Sequence, residues 1–275
     1  MMLGILSGTT AAAPAKRTGL LHTKDALTIP NRAAKVEARL IQQGLIGETG
    51  LGGESLQLEI AGKTVATAMT GGDGRAYFEY TPKMRGNVPF TVALADSPRV
   101  EASSAAGLLA VWEHRRPILL VEASALAEQE PEPPAPALPF GKSAVAPLRP
   151  SPDAAEELKR MAQFYYNVIY VAGQAEGPFS EARIGQFRQW LSDHGFPAGL
   201  IIHAEINSTG LGATLDDLKQ EGWTAMKSGI GRSPAFAATL VERRMEAVLV
   251  PEPRKGDVPR KAKTAKDWKD VRKKL

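Results

Sequence analysis

The side chains that most often carry chemistry are sparse in this sequence and poorly spaced for it. His22, His114, His194 and His203 are isolated from one another and match no metal-ligand spacing, so each is expected to be structural. The absence of Cys removes disulfide frameworks, thiolate nucleophiles and Cys-ligated metals together. Gly47-Glu-Thr-Gly-Leu-Gly-Gly53 is glycine-rich, yet it lies between two strand-like segments with no helix after it, which makes it a turn and not a phosphate loop. Gly141-Lys-Ser143 lacks the upstream glycine of such a loop. Asp73 could touch Ca²⁺, but a hairpin turn alone accounts for Thr70-Gly-Gly-Asp-Gly74. Phe164, Tyr165, Tyr166 and Tyr170 flank an apolar strand. Stacking on nucleic acid needs exposed rings beside basic residues, so core packing is expected of them.

The elements that would position any site can be read from periodicity. The 275 residues, 43% hydrophobic and 23% charged, are enough for two domains, and no apolar run approaches the ~20 residues of a spanning helix. The amino terminus lacks a basic region and a long apolar core, so a cytoplasmic location is expected. Residues 1 to 20 show no periodicity and read as a mobile arm.

From Ala34 to Trp112 apolar and polar residues alternate in Lys35–Leu40, Ser55–Ile60, Lys63–Ala68, Ala76–Tyr80 and Val88–Leu94, with glycine-rich turns between them. This predicts an Ig-like β-sandwich of roughly seven strands over residues 21–114. Residues 115–252 change period. Short continuous apolar strands at Ile118–Val121, Asn167–Val171, Gly199–Ile202 and Ala247–Val250 alternate with helices, as in a Rossmann-like α/β domain with a parallel sheet. Asp153 and Glu156 have capping-box spacing ahead of the first helix. Residues 128–152 are Pro-rich and form an insertion in this domain; their acidic neighbours Glu128, Glu130 and Glu132 favour a plain spacer over a polyproline II ligand.

The formal net charge of +4 is uneven. Residues 254–275 hold ten of the 34 Lys and Arg against three of the 30 Asp and Glu, a local +7, which leaves 24 basic against 27 acidic groups elsewhere. In this basic tail, 253–275, Trp268, Val271 and Leu275 share one helical face. The tail could dock on nucleic acid, an anionic surface or a protein through Lys266, Trp268, Lys269 and Arg272, or pack Trp268 on its own domain.

The segments Arg116-Pro-Ile-Leu-Leu-Val-Glu-Ala-Ser-Ala-Leu126, Val168–Gly173, Phe187-Arg-Gln-Trp-Leu-Ser-Asp-His-Gly-Phe-Pro-Ala-Gly199 and Gly229-Ile-Gly231 with Ala247–Val250 resemble the haloacid dehalogenase-like superfamily. Within it they are most similar to the lipin and actin-patch phosphatidate phosphatase branch, whose bacterial members often carry an Ig-like domain in front. The resemblance implies an Asp nucleophile after the first strand, an Asp acid–base group two residues later, a Ser or Thr after the second strand, and a Lys and Asp residues that hold Mg²⁺ and phosphate. The matching positions here are Glu122, Ser124, Ala172 and Arg232, and no Lys is in register, Lys219 and Lys227 being the nearest.

Glu122 is one methylene longer than Asp, Ser124 is no general acid at ordinary pKa, and the cation Arg232 stands where Mg²⁺ would need oxygen ligands. The expectation is therefore a pseudoenzyme with no catalytic residues and no metal site, acting as a binding or scaffold module with a protein partner. The alternatives are a residual Mg²⁺-dependent phosphatase on a phosphate ester, lipid-linked esters included, and an anionic-surface or nucleic-acid binder working through the tail. Glu122 and Arg232 are expected to form an ion pair, and an anion in the crevice would meet Arg232, Lys227 and the amides of residues 123–125.

Overall fold

Alternating sequences bury one face and therefore need a second sheet to bury it against. In the computed structural model, which describes residues 16–44, 47–128, 148–173, 183–254 and 256–275, the first half forms ten strands. These are β1 (Arg17–Thr23), β2 (Ala26–Thr28), β3 (Ala34–Gly44), β4 (Gly47–Gly50), β5 (Ser55–Ile60), β6 (Lys63–Met69), β7 (Arg75–Tyr80), β8 (Gly86–Leu94), β9 (Val100–Ala102) and β10 (Ala105–Val111). One sheet has the order β4-β3-β1-β9 with β7 also on β3, and the other runs β2-β10-β8-β5-β6. Leu40, Leu56, Leu58, Phe78 and Val92 meet between them. The strand count exceeds the expected seven because β1, β2, β4 and β9 are short or lie where alternation is weak. The expected arm is corrected at its end: Arg17–Gly19 pair with Val100–Ala102, so residues 17–20 belong to the sandwich.

The second half contains β11 (Ile118–Glu122), a short 3-10 helix (Ala123–Leu126), α1 (Ala154–Phe164), β12 (Asn167–Ala172), α2 (Ile184–Asp193), β13 (Leu200–His203), α3 (Leu211–Gln220), β14 (Met226–Gly231), α4 (Pro234–Glu242), β15 (Glu246–Leu249), β16 (Lys263–Thr264) and α5 (Trp268–Lys274). The sheet order is β13-β12-β11-β14-β15-β16, all parallel. β11 is buried along its whole length, as a strand covered on both faces must be. Most of the Pro-rich insertion lies outside the described residues; at its ends Ala127 bridges Pro150 and the Glu128 N–H donates to the Arg149 carbonyl.

Three expectations are corrected here. Asp153 precedes α1 with φ 61° and caps nothing through its side chain, because that left-handed backbone turns the carboxylate away from the helix amides. It pairs with Lys269 at 3.0 Å instead, and Glu156 pairs with Arg160. Of the two readings of the tail the packed one holds, and only the role of Trp268 as a surface contact is corrected: β16 extends the sheet, Trp268 is 2% exposed, Val271 is buried, and the indole Nε1 donates to the Ala125 carbonyl at 3.3 Å. Trp268 therefore cannot serve as a tail contact. Of the aromatic cluster, Tyr170 is buried and its hydroxyl donates to the Pro197 carbonyl at 2.7 Å, whereas Phe164 and Tyr165 are exposed.

β10 joins the two halves. Leu109 and Val111 enter the sandwich core, while Leu108, Ala110 and the following Trp112 enter the core on one face of the parallel sheet. Asp25, between β1 and β2, pins this seam with a side chain only 2% exposed. Its Oδ1 accepts from the Leu108 N–H at 2.8 Å and from Arg188 on α2, and its Oδ2 accepts from the Ile201 N–H at 2.7 Å. Burial pushes the Asp25 carboxyl above its ordinary value, against the downward pull of Arg188 and the two N–H groups. Asn87 adds a second tie, accepting from the Trp112 indole at 2.8 Å and donating to the Ala198 carbonyl at 2.7 Å.

Removing one partner of a buried ion pair strands the other. Asp25→Ala should lower unfolding free energy by about 3–5 kcal/mol in denaturant melts, with sandwich and α/β signals falling in one transition. Trp268→Ala should cost a similar ~3–5 kcal/mol, whereas a freely solvated tail would tolerate the change with no shift.

Candidate functional site

In an open parallel sheet, ligands bind beyond the carboxyl ends of the strands where the strand order reverses. Here the chain runs outward from β11 through β12 to β13, then returns to the other side of β11 for β14, β15 and β16, so the reversal falls between β11 and β14. Glu122 ends β11, Ala172 ends the adjacent β12, and Arg232 follows β14. Three of the four positions singled out in the sequence thus lie together at this edge, with Ser124 just beyond in the 3-10 helix.

The carboxylate of Glu122 is 3% exposed and already committed. Its Oε2 accepts from the backbone N–H of Arg232 at 2.7 Å and of Ser233 at 2.9 Å, the amides that lead into α4. Ser233 continues the pattern as N-cap, its hydroxyl accepting from the Phe236 N–H at 3.2 Å, with Pro234 starting the helix. A negative group at a helix amino terminus is favoured by the unpaired amides and by the macrodipole. Gly231 makes room for this arrangement: a Cβ there would sit 2.7 Å from Glu122 Oε2 and 2.4 Å from the Phe236 ring.

The expected Glu122–Arg232 ion pair is replaced by this backbone contact. The Arg232 guanidinium donates from Nη2 to the Ala127 carbonyl at 2.7 Å, and no carboxylate lies within ion-pairing distance of it among the described residues. Burial lowers the Arg232 pKa from its ordinary value, and the nearby Glu122 charge opposes that shift. The buried Arg232 Nε and Ser124 Oγ have no hydrogen-bond partner among the described residues. Ala172 presents a methyl group, and its carbonyl is taken by the Ala204 N–H at 3.0 Å.

Lys227 does not join this crevice. It is the second residue of β14, at the opposite edge from Arg232, roughly 15 Å away along a strand that rises about 3.3 Å per residue. The expected anion site combining Arg232 with Lys227 is thereby corrected. Of the tail residues, Lys266 is exposed, Lys269 is engaged by Asp153, which raises its pKa, and Arg272 Nε lies 3.7 Å from Glu157 Oε2.

Mg²⁺ asks for several oxygen ligands in octahedral array. At this edge Glu122 brings one carboxylate whose Oε2 already holds two amides, beside a guanidinium. Among the described residues no group of three or more His, Asp or Glu could hold a metal ion. The described residues do not fit the ion.

Asp25, Arg188 and Asn87 leave no sequence signal, because their partners lie up to 176 positions away. A further cavity of about 650 Å³ opens along the same seam, lined by Asn87, Phe90, Leu108, Arg188, Phe196 and Ala198 among others.

No family model and no curated protein matches the chain. Among solved structures it is similar to D,D-heptose 1.7-bisphosphate phosphatase from B. bronchiseptica, complexed with magnesium and phosphate, at 12% identity over 58% of this chain and 97% of that one, TM-score 0.43. It is also similar to the fibronectin(III)-like modules of Clostridium thermocellum CbhA, at 10% identity over 33% of this chain and 94% of that one, TM-score 0.24. A CARDB domain from Pyrococcus furiosus, in complex with di-metal ions, is 18% identical over 41% of this chain and 100% of its own, TM-score 0.25.

Glu122→Ala leaves two buried amides without an acceptor and should destabilise the protein by about 3 kcal/mol, while Glu122→Gln keeps an acceptor oxygen and should cost about 1 kcal/mol. Equal destabilisation of the two variants in chemical denaturation would show that the two N–H bonds do not hold this edge together.

Proposed function

We propose that the chain is a non-catalytic binding or scaffold module, an Ig-like sandwich fused to a haloacid dehalogenase-like domain of the lipin branch that has lost its reaction. The observation that carries this is the engagement of Glu122. A nucleophile for phosphoryl transfer must present a carboxylate oxygen in line to phosphorus, whereas Glu122 is 3% exposed and held in one orientation by the amides of Arg232 and Ser233 on its Oε2. The other positions support the same conclusion. Ser124 offers a hydroxyl of ordinary pKa in place of an acid, Ala172 has no hydroxyl, and Arg232 brings a cation to the place of a metal ligand.

Glu122 in this view is a structural staple. Its extra methylene relative to Asp lets the carboxylate reach the chain entering α4, and the stability gained there replaces the activity.

An aryl phosphate assay with Mg²⁺ tests the proposal. The wild-type protein should release phenolate no faster than Glu122→Gln, which keeps the fold. Mg²⁺-dependent turnover by the wild type that disappears in Glu122→Gln, with an unchanged circular dichroism spectrum, would establish a residual phosphatase instead.

A further inference from the structure

Phe164 and Tyr165, at the carboxyl end of α1, are 67% and 65% exposed, with ring centroids 6.3 Å apart; the half-buried Tyr166 follows 6.4 Å further on. Core packing does not explain two neighbouring rings left in water. Nucleic-acid stacking requires exposed aromatic faces beside basic residues, and the fold supplies both.

The basic residues come from α5, from Lys266 just before it toward the amino end of α1, and from Arg116 ahead of β11. Lys269 pairs with Asp153 at 3.0 Å and Arg272 Nε lies 3.7 Å from Glu157, so α5 runs alongside α1 in the same direction. On α1, Glu157, Arg160 and Phe164 share one stripe at helical spacing, and Arg160 Nη1 donates to Glu157 at 3.2 Å. Arg160 is one turn, about 6 Å, from Phe164. On the other side, Arg116 Nη2 donates to the Ala162 carbonyl at 2.6 Å and lies 3.4 Å from that of Tyr166, which places its guanidinium at the end of α1.

Asp153, Glu156 and Glu157 are paired with Lys269, Arg160 and Arg272, Asp267 caps α5, accepting from the Asp270 N–H, and the Asp270 carboxylate itself has no cation within ion-pairing distance among the described residues. Lys266, Lys273 and Arg116 are exposed, with no carboxylate within ion-pairing distance among the described residues. Residues 153–165 and 266–275 together with Arg116 hold eight Lys and Arg against five Asp and Glu, so the face keeps a net positive charge beside the open rings.

We propose that the α1–α5 face binds single-stranded nucleic acid, with bases stacked on Phe164 and Tyr165 and phosphates on Lys266, Lys273 and Arg116. This names a partner class for the binding module proposed above. A duplex keeps its base faces stacked and offers these rings nothing. A basic helix that lies on a membrane turns its apolar residues into the lipid, but Trp268 and Val271 of α5 are committed to the core.

Fluorescence anisotropy with a labelled oligothymidylate of about 15 nucleotides tests the proposal, with blunt duplex DNA and phosphatidylserine vesicles as competitors. Phe164→Ala/Tyr165→Ala should weaken binding roughly tenfold or more without changing the salt dependence. Lys266→Glu/Lys273→Glu should weaken it and flatten the slope of log affinity against log salt by about 0.7 for each phosphate no longer neutralised. All four positions are exposed, so folding is not at stake. The proposal is overturned if the oligonucleotide does not bind, if duplex competes equally and the ring substitutions change nothing, or if only the vesicles bind. The aryl phosphate assay reports on the Glu122 crevice and this one on the α1–α5 face, so either proposal can fail without the other.

Discussion

A carboxylate excluded from water must be met by hydrogen-bond donors, and Glu122 meets two of them in the chain between β14 and α4. Much else at the ligand edge of the sheet depends on that contact. It requires glycine at position 231, it leaves the Arg232 guanidinium to find the Ala127 carbonyl, and it supplies the first amides of α4 with an acceptor while Ser233 supplies the next. A side chain of the first strand of the sheet thus brings negative charge to the start of α4 from within.

The opposite constraint operates at the seam. β10 has no solvent face along Gly107–Val111, because each side of the strand serves a different core, and the buried Asp25–Arg188 pair fixes the sandwich to α2 and β13. A buried charged pair contributes little stability over a well-packed apolar one, but it penalises any displacement that separates its members. The sandwich is thus part of the platform on which the parallel sheet stands. This arrangement suits a protein that presents fixed surfaces.

How much can be read in the sequence follows from how local each signal is. β3, β5, β6, β7 and β8 declare themselves through alternation bounded by glycine turns, and β11, β12, β13 and β15 through short apolar runs between helices. α4 is nearly all apolar and has no polar face to mark a period. The tail is harder to read, since its charge dominates the composition while its fold rests on two residues, Trp268 and Val271. The resemblance places Glu122, Ser124, Ala172 and Arg232 at one edge, where they stand. It does not show that the Arg232 backbone, and not its guanidinium, satisfies the carboxylate, because that depends on how the chain turns after Gly231. Lys227 sits at the other edge of the sheet because β14 begins one residue before it, at a point the sequence leaves unmarked. Asp25 and Arg188 carry no mark at all, being joined only by the tertiary fold.

Amide resonances of Arg232 and Ser233, followed during titration with Mg²⁺, test the closed crevice most directly. Both amides should keep their chemical shifts and their protection from hydrogen exchange throughout, since Glu122 remains their acceptor. A saturable shift of both, with loss of protection as the carboxylate turns to the ion, would contradict the closed crevice and show that this edge takes up Mg²⁺.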